Sequence, residues 1–156
     1  MHISRLAVGA VIAVMLSGNA IAGAIEDCAA AYDRQDYAAA VQPCRSLAEH
    51  GDARAQLSLG GMYYNGQGVQ QDYSEAAKWT RKAAEQGYTP AQADLGVLYW
   101  NGQGVQQDVV QAYMWLSLAA AHEPDVVRER DFAASQMTPE EIAEAQRLAR
   151  EWKPTK

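Results

Sequence analysis

Two nearly identical phrases decide the fold of this chain: LGGMYYNGQGVQQDYSEAAKW at residues 59–79 and LGVLYWNGQGVQQDVVQAYMW at residues 95–115. Aligned at an offset of 36 residues, they match at thirteen of twenty-one positions. The offset extends beyond the phrases, because it also relates Gly51 to Gly87. A fixed period of about 20 to 50 residues indicates a repeat array, in which each unit stacks on its neighbour.

The first part of each phrase predicts a helix. Leu59 and Tyr63 lie one helical turn apart, and Gly66 supplies the left-handed residue that commonly ends a helix. Gly60 lies inside this helix and recurs as Gly96, although glycine in a helix costs about 1 kcal/mol relative to alanine. Its recurrence predicts that a neighbouring helix packs closely against this position.

The second part of the phrase predicts another helix. Asp72 can cap it, and Glu75 three residues later fits a capping box with Asp in place of Ser or Thr. Trp79 and Ala83 form an apolar stripe, and Gly87 ends the helix. The unit is therefore a helix–turn–helix hairpin.

The pattern A-x(3)-L-G-x(2)-Y-x(2)-G-x-G-V-x(2)-D-x(3)-A-x(2)-W-x(3)-A-A-x(2)-G starts at Ala55 and again at Ala91. It resembles the Sel-one-like repeat family, relatives of the tetratricopeptide repeats. The second copy departs from it at its end, where AAAHEP has no equivalent of Gly87. The resemblance implies an all-α, right-handed αα-hairpin solenoid, a tetratricopeptide-like superhelix. We expect two full repeats, about 52–87 and 88–121, flanked by degenerate capping hairpins.

The flanking segments follow the pattern only in part. Upstream, residues 36–51 align with residues 72–87 at the same offset. Downstream, Thr138 and Glu141 fit a capping box at the start of a helix. Both segments are what we expect of capping units, which repeat arrays need at their ends because an end unit has one face in water. We expect eight helices in four hairpins, at about 25–50, 52–86, 88–121 and 124–152.

Residues 1–22 are interpreted as a cleaved signal peptide. His2 and Arg5 precede a mostly apolar run at 6–16, and Ala20 and Ala22 fit an A-x-A cleavage site. A membrane anchor is disfavoured, because SGN at 17–19 interrupts the run before the roughly 20 residues that a span needs. We therefore expect residues 23–156 to form a periplasmic or secreted solenoid with no membrane attachment after cleavage.

Cys28 and Cys44 are the two cysteines of the chain, and both follow the predicted signal peptide. An even cysteine pair in an exported protein predicts a disulfide. A metal or redox site is disfavoured, because the spacing is not C-x-x-C and no His or second pair stands nearby. The two residues are predicted to lie at about the same height on the two antiparallel helices of the first hairpin. A disulfide there would add about 3 kcal/mol to the free energy of unfolding.

Charge limits the class of partner. The whole chain carries a formal net charge of −6, and removal of Arg5 leaves twelve basic against nineteen acidic residues. This sign disfavours nucleic acid and anionic membrane surfaces. It favours a basic or amphipathic protein or peptide segment.

No catalytic, cofactor-binding or metal-binding motif stands out. His50 and His122 lie near predicted helix ends in different hairpins, and neither begins an H-E-x-x-H pair. The alternative function is an enzyme of the penicillin-binding or β-lactamase-like kind, since cysteine-rich members of the resembled family have been linked with such chemistry. The S-x-x-K, S-D-N and K-T-G motifs of that chemistry are absent from the sequence.

The expected binding surface is the groove formed by the first helix of each repeat, as the tetratricopeptide resemblance implies. A stripe at i, i+4 and i+7 is left free by the repeat pattern, and Gly61 belongs to it. The predicted groove residues are Arg54, Leu57, Tyr64, Ala93, Val97 and Trp100. The aliphatic members serve equally well as support between helices, whereas Tyr64 and Trp100 are typical of binding surfaces. We expect an adaptor in envelope maintenance or a regulator of an exported enzyme.

Overall fold

The structure, a computed structural model, describes residues 22–155. This range forms eight α-helices and no strand, which confirms the all-α class. The first helix, α1, covers 22–33. The others are α2 (Tyr37–Glu49), α3 (Ala53–Asn65), α4 (Tyr73–Glu85), α5 (Thr89–Asn101), α6 (Val109–Ala120), α7 (Val127–Ser135) and α8 (Pro139–Glu151). The predicted signal peptide lies outside the described residues, apart from Ala22.

The helices pack as consecutive hairpins, as the repeated phrase predicts. The two central hairpins, α3 with α4 and α5 with α6, have the most extensive contacts. Between hairpins, α2 packs against α3, and α4 packs against α5. The exception is the last pair of helices: after a 3₁₀ turn at Pro124–Val126, α7 and α8 each pack on α6 rather than on one another. The fourth hairpin predicted at 124–152 is therefore wrong, because the two helices bury their apolar faces against α6 separately. No helix of the described part combines the length and apolarity needed to cross a membrane.

Aspartates set the repeat's register at the start of α2, α4 and α6. The carboxylates of Asp36, Asp72 and Asp108 accept hydrogen bonds from backbone N–H groups in the first turns of α2, α4 and α6. Because an N-cap satisfies donors that the helix itself leaves unpaired, these residues fix where each helix begins. Gly66 and Gly102 end α3 and α5 at φ angles of 68° and 66°, in the left-handed region that favours glycine.

The predicted capping box of α4 is only half present. Asp72 caps Ser74 and Glu75, but the Glu75 carboxylate does not reach back to the Asp72 N–H. It accepts hydrogen bonds from Lys78 Nζ at 2.8 Å and Trp79 Nε1 at 3.1 Å instead. The Asp72 N–H already donates to the Tyr63 carbonyl at the end of α3, which leaves Glu75 free. The box predicted between Thr138 and Glu141 is complete.

Two buried glycines allow the helices of each hairpin to approach closely. A Cβ atom on Gly60 would lie 2.7 Å from Thr80 Oγ1, and one on Gly96 would lie 2.7 Å from Leu116 Cγ. Real Cβ atoms do not come this near to other atoms, so only glycine fits both positions. The close approach predicted from their recurrence is confirmed.

The core consists of two hydrophobic clusters. The smaller one lies among α1 to α4 and includes Leu59, Met62 and, from α4, Trp79; the larger one extends from α4 to α8 around Leu95 and Trp115. A disulfide joins Cys28 on α1 to Cys44 on α2 inside the smaller cluster, with a Cα–Cα distance of 4.9 Å. The pairing is the one that the sequence predicts, and it links the two helices of the first hairpin.

Candidate functional site

The first helices of the three hairpins, α1, α3 and α5, share one surface with α7. Tyr32 of α1 reaches α3, since its hydroxyl oxygen would lie 3.8 Å from a Cβ on Gly61. Tyr64 of α3 donates a hydrogen bond across the array to Gln103 Oε1, at 3.1 Å. On the far side, the ring of Trp100 on α5 meets the ring of Phe132 on α7, with centroids 5.6 Å apart. Each first helix therefore contacts the next part of the array on this side.

Two adjoining cavities open on this surface, and we call the surface that lines them the first-helix groove. The larger cavity, about 290 Å³, lies between α3 and α5, and the smaller, about 110 Å³, lies between α5 and α7. Val97 lines both cavities and is 39% exposed. The larger is lined by Gly60, Gly61, Tyr64, Asn65, Ala76, Thr80, Asp94, Val97 and Leu98. The smaller is lined by Val97, Trp100, Leu116, Glu129, Phe132 and Ala133.

Asp94 is the one ionisable carboxylate in the larger cavity. The side chain of Asp94 reaches solvent, and the cavity walls cover part of it. This partial burial, and then repulsion from Glu123, raises the pKa of Asp94 above the ordinary value. Burial, Tyr37 and then Asp94 in turn raise the pKa of Tyr32. None of the ion pairs among the described residues includes Asp94. The cavity therefore presents an anionic group whose charge has no partner within the described chain.

The smaller cavity is apolar at its walls and carries a single charge. Trp100, Leu116 and Ala133 form its walls, and Glu129 is its ionisable residue. Phe132 stands at its edge with 59% of its surface exposed, the largest exposed fraction among the large hydrophobic side chains of residues 22–155. Exposed aromatic side chains beside a cavity are the kind of group that binding surfaces use.

The structure brings three of the six predicted groove residues to these cavities. Tyr64 lines the larger one, Trp100 the smaller one, and Val97 both. Leu57 and Ala93 are partly buried and pack against the larger hydrophobic cluster, in the supporting role considered for them. Whether any of the six residues binds a partner stays a prediction.

Arg54 lies elsewhere on the same side of the array. It is exposed and lines a separate cavity of about 310 Å³ between α1 and α3. The exposed Ile25, the Cys28 end of the disulfide and the carboxylates of Asp33 and Asp52 line this cavity as well. The guanidinium therefore belongs to a mixed-charge end of the surface, distinct from the cavity that holds Asp94.

Tyr64 and Trp100 are less free than the sequence suggests. Both are half-buried and pack against the larger hydrophobic cluster. Tyr64 also meets the ring of Tyr73, with centroids 5.1 Å apart. The repeat pattern leaves their positions unassigned, yet each side chain fills the space between one hairpin and the next part of the array. The two aromatics therefore help to hold the array together and form walls of the groove at the same time.

Sequence reasoning missed Asp94 and Phe132. Asp94 occupies the repeat position that Ser58 holds in the preceding unit, so the periodicity gives it no special weight. Phe132 is the single phenylalanine of the chain and lies in α7, where the repeat pattern has faded. The sequence did contain one signal for Asp94, because it lies one helical turn before Val97, a predicted groove residue, and so shares its side of α5.

A more voluminous cavity lies away from the groove, between α4 and the linker of the second repeat. Its volume is about 750 Å³, and Lys78, Arg81 and several linker glutamines line it. Both cationic groups are engaged, since Lys78 pairs with Glu75 and Arg81 donates to the Tyr99 hydroxyl. We therefore place the candidate site in the groove, where the Asp94 carboxylate has no partner among the described residues, and not in the cavity at α4.

Within residues 22–155, no group of three or more His, Cys, Asp or Glu side chains could hold a metal ion. His50 lies at the end of α2, where Nδ1 is 2.7 Å from the Ser46 carbonyl oxygen. The sequence placed it at a helix end as well.

Comparison with known proteins identifies the repeat. The Sel1 repeat is recognised at residues 53–88 and 89–123, which contain α3 with α4 and α5 with α6. None of the curated proteins matches the chain.

Two solved structures share the fold. One is a protective antigen present in uropathogenic Escherichia coli strains that displays an SLR fold, with 33% sequence identity and a TM-score of 0.78, covering 83% of this chain and 29% of that one. The other is a Sel1 repeat protein from Oxalobacter formigenes, with 35% identity and a TM-score of 0.61, covering 64% of this chain and 41% of that one. The chain thus spans less than half of each structure. Sel1 repeats generally bind other proteins. With two such repeats at its centre and the same hairpin packing, the chain belongs to the Sel1 repeat family.

Proposed function

We propose that this protein is exported and binds a protein or peptide segment through the first-helix groove. The observation that carries the proposal is the pairing of Asp94, a carboxylate without a partner, with the exposed apolar side chains of Val97 and Phe132. Such a surface combines an electrostatic and a hydrophobic contribution to binding, and the overall acidic charge favours a basic or amphipathic partner.

Export is supported by two independent features. The first is the signal-like pattern of residues 1–22, with its A-x-A site at Ala20 and Ala22. The second is the disulfide between Cys28 and Cys44, because disulfides form and persist in oxidising compartments. The protein would then act in the periplasm or outside the cell. An adaptor in envelope maintenance, or a regulator of another exported protein, fits a small array with one groove.

A crosslinking pull-down from the periplasmic fraction of the source organism tests this proposal. The bait is the native protein, compared with Val97→Arg, which places a cation and a bulky side chain where the two cavities meet. Glu49→Gln is the control, since α2 contributes no residue to either cavity. We expect one set of proteins to be captured by the native bait and the control and lost with Val97→Arg. Equal capture by all three would show that the groove is not the binding surface.

A further inference from the structure

We infer that the first-helix groove recognises one compact motif, a Lys or Arg side chain two or three residues away from a large apolar side chain on the same partner segment. The inference rests on the proposed function and names the chemistry that the groove selects. It is carried by the contents of the two cavities and by the residue that they share.

The larger cavity provides a place for the cation. Asp94 is the one charged residue that lines it, and no Lys or Arg of the described chain lines either cavity. Glu129 and Glu123 add negative charge nearby, one in the smaller cavity and the other by its repulsion of Asp94. A cationic side chain from a partner would relieve this repulsion and would supply the counter-charge that the chain lacks here.

The smaller cavity provides a place for an apolar side chain. Its volume of about 110 Å³ corresponds to roughly four water molecules at about 30 Å³ each, which leaves room for one aliphatic side chain. Trp100, Leu116 and Ala133 give it apolar walls, and Phe132 leaves more than half of its own surface exposed at the edge. A guest side chain would cover part of the Phe132 ring that now faces solvent.

Val97 sets the spacing between the two parts of the motif. Because it lines both cavities, one segment can reach from one cavity into the other without leaving the surface. Asp94 and Trp100 are six residues apart on α5, which is about 9 Å along the helix axis. An extended strand advances about 3.3 Å per residue and presents every second side chain to one side, so a cation and an apolar side chain two residues apart would both face the groove, and the flexible Lys or Arg stem would cover the remaining distance. In a polyproline II conformation, residues three apart share a face and lie about 9 Å apart.

Selection from a phage-displayed library of random dodecapeptides tests the motif. The immobilised target is the full chain with its disulfide formed, at low salt, and a blank surface is selected in parallel. We expect the enriched peptides to place Lys or Arg two or three residues from Leu, Ile, Met or Phe. A synthetic peptide of the enriched sequence should bind Asp94→Asn and Phe132→Ala at least about tenfold more weakly than the native protein.

Matched variants separate this motif from other forms of binding. Glu49→Gln removes an exposed carboxylate from α2, and Ile25→Ala removes a side chain that is 51% exposed at the other end of the surface. Both should leave the affinity unchanged. Circular dichroism and melting curves should show that all four variants remain folded, as expected for substitutions of exposed side chains.

The remaining outcomes overturn the inference in distinguishable ways. Enriched peptides without a cation, or affinities insensitive to Asp94→Asn and Phe132→Ala, would refute the motif, while loss of binding with Val97→Arg would still support the groove. Weaker binding only with Ile25→Ala would move the site to the cavity that contains Arg54. Self-association of the chain, abolished by the same groove variants, would assign the groove to a second copy. No enrichment over the blank surface would overturn both the motif and the proposed peptide binding.

Discussion

Arg81 on α4 donates a hydrogen bond to the hydroxyl of Tyr99 on α5 at 2.8 Å, with its guanidinium 5.6 Å from the ring centroid. The same pair occurs one repeat earlier, where Arg45 on α2 donates to Tyr63 on α3 at 2.7 Å. Each bond joins the second helix of one hairpin to the first helix of the next. The tyrosine of the repeat pattern therefore connects neighbouring units as well as filling space between helices.

Removal of this hydroxyl should weaken the contact between repeats. We expect Tyr99→Phe to lower the free energy of unfolding by about 1 kcal/mol, because it leaves the Arg81 donor without its acceptor while keeping the ring. Urea denaturation measures the difference. Tyr88→Phe is the control, since the Tyr88 hydroxyl makes no hydrogen bond to another described residue. Equal effects of the two substitutions would show that the bond adds nothing to stability.

Two glycines on the first helices should respond to alanine in opposite ways. In Gly96→Ala the new Cβ would meet Leu116 Cγ at 2.7 Å and the Ala112 carbonyl oxygen at 3.1 Å, so we expect a loss of about 2 kcal/mol from overpacking. In Gly61→Ala the nearest atom is the Tyr32 hydroxyl oxygen at 3.8 Å. There, the reduced conformational freedom of the unfolded chain should raise stability by about 0.5 to 1 kcal/mol. Thermal and urea denaturation of both variants would reveal any departure from this pattern.

The disulfide should stabilise the first hairpin against unfolding. In protein purified from its own cells without reductant, we expect no thiol to react under denaturing conditions, and the mass to rise by two hydrogen atoms on reduction. Reduction of the native chain should lower the free energy of unfolding by about 3 kcal/mol, because Cys28 and Cys44 close a loop with a separation of 16 residues. Two reactive thiols in protein purified in this way would contradict the pairing.

Local signals predicted much of the fold. The capping aspartates Asp36, Asp72 and Asp108 and the glycines that end α3 and α5 act within a few residues, so their spacing could be read directly from the sequence. The capping box at Asp72 was wrong because a partner from the preceding helix, the Tyr63 carbonyl, competes for the Asp72 N–H.

The candidate site was less predictable, because it depends on which side chains of separate helices meet. Asp94 matters through the cavity around it and through Glu123, both supplied by other parts of the fold. The chain also returns after α8: the N–H of Thr155 donates to the Glu85 carbonyl at 2.8 Å, and Trp152 packs against Trp115 with ring centroids 5.9 Å apart. The repeat pattern could not predict the contact between Thr155 and Glu85, which are 70 residues apart.

At neutral pH the ionised side chain of Asp94 should lower the free energy of unfolding, because its surroundings disfavour the charge. Partial burial and then Glu123 raise its pKa in the folded protein above the ordinary value of 3.8. The folded state therefore binds this proton more tightly than the unfolded state, so ionised Asp94 opposes folding above its folded pKa, and the opposition disappears as the pH falls below 3.8. We expect Asp94→Asn to be more stable than the native chain at pH 7.

The pH dependence itself provides the control for this effect. Urea denaturation at a series of pH values should show the advantage of Asp94→Asn shrinking as the pH is lowered, until it vanishes where the native carboxyl is protonated in both states. An advantage that is the same at all pH values would have a cause other than charge. A loss of stability at pH 7 would show that the carboxylate has a stabilising partner in solution.

Trp100 and Phe132 form one aromatic pair but should differ in their effects on folding and binding. Trp100 is half-buried against the larger hydrophobic cluster, so Trp100→Ala should lower the free energy of unfolding by at least about 2 kcal/mol, less than the 3 to 5 kcal/mol of a fully buried tryptophan. Phe132 is 59% exposed, and Phe132→Ala should cost less than about 1 kcal/mol while it removes the edge of the smaller cavity. Partner binding lost with Trp100→Ala alone would therefore have an ambiguous cause, whereas loss with Phe132→Ala at an unchanged melting temperature would report on the groove. The two substitutions can be compared by urea denaturation and by titration with the selected peptide. If Trp100→Ala proves harmless to folding, the tryptophan is a free binding residue, as the sequence pattern first indicated.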